Sequence, residues 1–69
     1  MKIQVECYSG YKSNERPIKF WIDEEVFFVE SIEDQWRGTD AMFFRVRADD
    51  SRTYVLSYNE RTGLWTLGK

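Results

Sequence analysis

Few residues in this 69-residue chain are equipped for chemistry, and their types narrow what that chemistry is. Histidine is missing, which removes imidazole acid–base catalysis, Ser-His and Cys-His nucleophiles and most zinc sites. The single cysteine, Cys7, falls on the apolar side of an alternating segment, where a thiol serves more often as a small hydrophobe than as a nucleophile. Carboxylates are the remaining catalytic type. Glu24, Glu25, Glu30, Glu33 and Asp34 crowd into one stretch and could supply a glycosidase-type pair. A chain this short has little means of sheltering such a pair and raising one pKa. The stretch also lacks the spacing of a calcium loop, so neither a metal nor a cofactor is expected. As a solvated face, the same acids keep the protein soluble and discourage edge pairing.

Two other groups of residues suit recognition. The segment from Tyr8 to Pro17 places Tyr8, Tyr11, Lys12 and Arg16 among Ser, Gly and Asn, which is a loop composition. Loops on a rigid sheet commonly carry binding, and Tyr and Arg are hot-spot types. The competing reading makes the tyrosines a cap on one end of the core, with Arg16 stacked on one of them. Further along, Arg45 and Arg47 share a strand face with Phe43, and Arg52 lies across the following hairpin. Small barrels hold single-stranded nucleic acid on strips of this kind; a plain solvated strand has the same look. Charge weighs against the first. The net of −2 divides into +2 over residues 1–22, −6 over 23–34 and +2 over 35–69, so general phosphate affinity does not follow from the total.

The elements that position these residues read as strands. Aromatic residues form 17% of the chain against 42% hydrophobic overall, so rings rather than leucines must fill the core, which favours sheet over helix. Ile3, Val5 and Cys7 alternate with Lys2, Gln4 and Glu6, marking a half-buried first strand. Ile18, Phe20 and Ile22 alternate with Lys19 and Trp21, and Asp23-Glu24 turns into a third strand. There, Val26, Phe27, Phe28 and Val29 are continuously apolar, and Ile32 and Trp36 follow at spacings of three and four. Two explanations stand: a β-bulge near Glu30 that flips the inward face, or a helical turn over 29–36. Phe44, Val46 and Ala48 then define the clearest strand, Tyr54, Leu56 and Tyr58 the next, and Trp65 and Leu67 the last. Asp49-Asp50-Ser51 makes a short hairpin loop, and Asn59 to Gly63 a type I turn closing on a glycine at positive φ.

Certain of these stretches are similar to a family of short, uncharacterised bacterial proteins. The resemblance rests on Glu6-Cys7-Tyr8-Ser9-Gly10-Tyr11-Lys12, Glu15-Arg16-Pro17, Asp34-Gln35-Trp36, and the hairpin Phe44-Arg45-Val46-Arg47-Ala48-Asp49-Asp50 with Arg52-Thr53-Tyr54. These stretches run from residue 6 to residue 54. Where that family tends to place Gly in the hairpin loop, this chain has Ser51. The resemblance implies no activity, cofactor or substrate.

The expectation is therefore one all-β domain over residues 1–69: a small antiparallel meander of five or six strands, curled or barrel-like, with an SH3-like barrel first and an OB-like barrel second. The two-sided apolar third strand is read as a sheet curling over itself. Trp36 is expected at the core's edge, packed under the first loop against Tyr8 or Tyr11. The longest apolar run is far short of the roughly 18 residues of a membrane span, and the first strand is too polar for a signal peptide. A cytoplasmic protein without membrane attachment is expected, and one cysteine fits a reducing compartment. Functionally, the residues favour a non-catalytic binding or scaffold module for another protein, using Tyr8, Tyr11, Lys12, Arg16, Trp36, Arg45, Arg47 and Arg52. The alternatives are weak single-stranded nucleic-acid binding along Arg45, Arg47 and Arg52, and a carboxylate hydrolase.

Overall fold

Period-two alternation holds the backbone extended almost throughout, and the computed structural model, which describes residues 2–8 and 16–68, contains six strands. These are β1 (Ile3–Tyr8), β2 (Arg16–Ile22), β3 (Glu25–Gly38), β4 (Ala41–Ala48), β5 (Thr53–Asn59) and β6 (Leu64–Gly68). Each pairs antiparallel with its neighbour in the chain, giving one sheet in the order β1 to β6. The two edge strands, β1 and β6, come back into contact. The fold is thus all-β, a meander curled into a half-barrel and consistent with a small SH3-like or OB-like barrel. Among the described residues there is no helix, so none that could cross a membrane.

Curling is achieved by extra residues at three points. On β3, Val29 pairs with Ala48 and Ser31 with Arg47, leaving Glu30 over; Ile32 pairs with Val46 and Asp34 with Arg45, leaving Glu33 over. The expected bulge at Glu30 is therefore present, the helical turn over 29–36 is replaced by strand, and a second bulge follows three residues later. A third sits on β2, where Glu6 pairs with Lys19 and Cys7 with Pro17, skipping Ile18. Each added residue reverses the side-chain alternation and sharpens the local twist. Consequently Pro17, not Ile18, joins Phe20 on the inner face: Pro17 is fully buried and Ile18 exposed. That corrects the simple alternation of Ile18 with Phe20.

The long β3 gives its first part to β2, from Glu25 to Phe28, and its remainder to β4. Because of that bend, Phe20 stacks on Phe27 at 5.2 Å, and Tyr54 from the opposite limb meets both rings at 5.3 and 5.4 Å. Val46, Ala48 and Leu56 are fully buried behind them, and Phe44, Tyr58 and Trp65 form a second ring cluster. Offset and edge-on ring pairs contribute about 0.5–1.5 kcal/mol beyond their buried area.

Turn chemistry follows the sequence closely. Gly63 takes φ 73° and donates its N–H to the Asn59 carbonyl, while the Asn59 side chain accepts from the N–H groups of Arg61 and Thr62. In the β4–β5 loop it is Ser51 that occupies the left-handed region, at φ 67°, where a Cβ is unfavourable. Beside it, the Tyr54 hydroxyl donates to Asp50 Oδ2 at 2.6 Å.

Two outcomes follow from this loop. Replacing Ser51 with Gly should relieve the left-handed strain and raise stability by about 1 kcal/mol, read as a higher urea midpoint at unchanged slope; an unshifted midpoint would show the position to be unstrained. The hydrogen bond from Tyr54 holds the Asp50 carboxyl below its usual range, and the same bond holds the phenol proton above its own. Asp50 therefore stabilises the fold above the ordinary carboxylate pKa of about 3.9, a contribution lost as pH falls through its lowered folded value. The Tyr54 contribution is complete below about pH 10 and is lost as pH rises through its raised folded value. In Tyr54→Phe, carboxyl NMR should find the Asp50 midpoint moved up towards the ordinary value, and no movement would refute the assignment.

Candidate functional site

In a curled sheet the inner face is spent on the core, so recognition must use the outer face, the rims or the loops. Register shows what the outer face of β1, β2 and the first part of β3 presents. Gln4, Trp21 and Val26 form one cross-strand row, Glu6, Lys19 and Phe28 the next, and Tyr8 with Arg16 a third. Phe28 is 51% exposed, Val26 41% and Tyr8 58%, and Trp21 is half-buried. Lys19 Nζ lies 5.3 Å from the Trp21 ring centre and 5.5 Å from that of Phe28, while Glu6 neutralises it at 3.6 Å. The result is an aromatic and aliphatic surface with a compensated cation in its middle. Asp49 fixes its far side by accepting from the Phe28 N–H and donating its own N–H to the Phe28 carbonyl.

Trp21, Val26 and Phe28 were not among the residues the sequence singled out. For Val26 and Phe28 a signal was there: apolar residues of both parities in the third strand. It was attributed entirely to curling, whereas only Phe27 of Val26, Phe27 and Phe28 faces the core.

The expected site residues separate into three places. Tyr8 and Arg16 pair with one another and extend the aromatic face. Tyr11 and Lys12 lie outside the described residues. Trp36, Arg45 and Arg47 stand on the outer face of the β3–β4 limb, and Arg52 lies exposed at its β4–β5 end. There the arginines meet carboxylates. Arg45 reaches Asp34 at 3.4 Å and Arg47 reaches Glu33 at 3.6 Å. The acidic stretch of β3 thus compensates the strip that sequence alone presented as basic, although exposed pairs of this kind add little stability. Arg52 engages the loop through its backbone, donating its N–H to Asp50 Oδ1 and accepting from the Ala48 N–H.

Among the described residues the ring against Trp36 is Phe43, stacked at 5.4 Å and 9°, rather than Tyr8; Tyr11 lies outside them. The second bulge explains the correction. With Glu33 inserted, Gln35 falls opposite Phe44 on the inner side and Trp36 opposite Phe43 on the outer side, leaving the indole 39% exposed.

Where β2 and β3 part, Arg16, Pro17, Ile18, Val29, Glu30, Ser31 and Ile32 border a solvent-open depression of about 270 Å³. The carboxylates suggested for hydrolysis, Glu24, Glu25, Glu30, Glu33 and Asp34, are all exposed. Among the described residues no three metal-ligating side chains cluster to share an ion. Fold and surface together define a small half-barrel with an aromatic outer face. Comparisons with protein-family models, curated proteins and solved structures found no match for the chain.

Trp36→Ala should cost about 1–2 kcal/mol, the loss of one half-exposed ring stack, while Phe27→Ala should cost about 3–5 kcal/mol, as for a buried aromatic. Urea denaturation of the two variants side by side measures both. Equal losses would place Trp36 in the core after all.

Proposed function

We propose that this domain is a non-catalytic binding module whose partner is another protein. The observation that carries the reading is the exposed surface of Trp21, Val26 and Phe28 on a rigid sheet, continued by Tyr8 and Arg16. Contiguous exposed apolar surface of this sort marks interaction sites, and large aromatics with arginine are the side chains that anchor them. The ion pairs of Arg45 and Arg47 favour a protein over nucleic acid as the partner, because cations held by carboxylates have less to give to phosphate.

Site-specific photocrosslinking in cells that make the protein tests this. A benzophenone side chain at Phe28 or at Tyr8 should give discrete protein adducts, and one at Thr62, in the β5–β6 turn, should give none. Adducts to nucleic acid, or an identical pattern from all three positions, would refute the reading.

A further inference from the structure

The charges around the aromatic face say what kind of partner fits it. Lys19 at its centre is already compensated by Glu6. At the two ends of the Val26–Phe28 run along β3 stand Glu24 on one side and Glu30 on the other, both exposed and neither with an ion-pair partner among the described residues; Glu25 pairs with Ile22 and falls on the opposite face of the strand. Asp23 and Asp49 add carboxylates nearby, although each also accepts a backbone N–H, from Lys2 and Phe28 respectively. Against these stand Lys2 by the β2–β3 turn and Arg16 in the Tyr8 row. Among the described residues the balance around the face is negative. On the β3–β4 limb, by contrast, Glu33 and Asp34 are matched by arginines. Uncompensated acid therefore coincides with the exposed apolar surface.

Resting on the reading above, we infer that the outer face of the β2–β3 hairpin receives a basic segment of a partner protein, one whose apolar side chains cover Val26, Phe28 and the Trp21 ring while its lysines or arginines meet Glu24 and Glu30. Apolar anchors supply the affinity, and complementary charge sets register and excludes acidic competitors. Trp21 and Phe28 already show that their rings accept an ammonium group, since both lie against Lys19. Nucleic acid, carrying the same sign as the rim, is disfavoured here.

A short peptide alternating lysine with leucine is the probe, set against its glutamate–leucine counterpart and oligolysine, with binding followed by NMR of the labelled domain. The lysine–leucine peptide should shift the Trp21 indole signal and the Val26 and Phe28 amides. Phe28→Thr should weaken it about tenfold or more, as loss of an anchor does. Glu24→Gln with Glu30→Gln, both on exposed side chains that leave the core untouched, should weaken it about three- to tenfold at low salt, a difference that added salt erases. Equal binding of the glutamate–leucine peptide would overturn the basic preference. Oligolysine binding equally well without moving the Trp21 signal would reduce the effect to unspecific charge, and sedimentation showing self-association through this face would make a second copy the occupant. If no peptide binds yet crosslinks from position 28 to protein persist, the basic class is wrong while the binding-module reading stands; loss of both removes the reading itself.

Discussion

With no helix or second sheet against it among the described residues, this sheet takes its inner face out of water by closing on itself, and closure depends on three supernumerary residues, Ile18, Glu30 and Glu33. Strict alternation would send Ile18 in with Phe20 and, continuing from Val29, would point Ser31 inward and Ile32 out. Each bulge resets the phase, so that Pro17 and Phe20, and likewise Val29 and Ile32, face the same interior. It also adds twist, which carries Phe20 and Phe27 round to Tyr54. A core that small has few contacts to spare, and those three rings bind the two limbs of the sheet together.

The same bulges divide the exterior. On the β3–β4 limb they bring the carboxylates of Glu33 and Asp34 within reach of Arg47 and Arg45, producing a charge-matched surface with one ring stack, Trp36 on Phe43. Before the first bulge, β3 pairs with β2 instead, and its outward side chains are Val26 and Phe28. One strand therefore serves two surfaces of opposite character. Turn-to-turn links hold the matched limb further: the Arg37 guanidinium donates to both Glu60 carboxylate oxygens at 2.7 Å, and the Glu60 N–H donates to the Asp40 carbonyl.

The strands, their order and most turns were legible in sequence because alternation and turn residues are local signals, and in a meander local pairing is the whole topology. Phe44, Val46, Ala48, Tyr54 and Leu56 face inward as their spacing requires. Gly63 adopts the positive φ its position demands. Legibility failed where a bulge shifted phase without leaving a mark in composition. Glu33 is an ordinary acid in an acidic run, and nothing about it says that Trp36 will turn outward; Ile18 is an ordinary β residue that happens to be skipped. Charge compensation was hidden for a related reason. Summing charge along the chain separates the acids of β3 from the arginines of β4, whereas an antiparallel ladder sets them face to face. The aromatic face was missed because exposed apolar residues cannot be distinguished from buried ones by type alone.

Every strand pairing with its chain neighbour has a kinetic side as well. Hairpins close over a few residues, and hairpin formation takes about 1–10 μs, so most of the ladder can assemble by successive short closures rather than by distant searches. For a β protein that implies low contact order and folding towards the fast end of its class. The exception is the approach of β1 to β6, the ends of the sheet, which must gather nearly the whole chain and so bears the largest loop-closure entropy. That contact therefore closes the largest loop in the sheet.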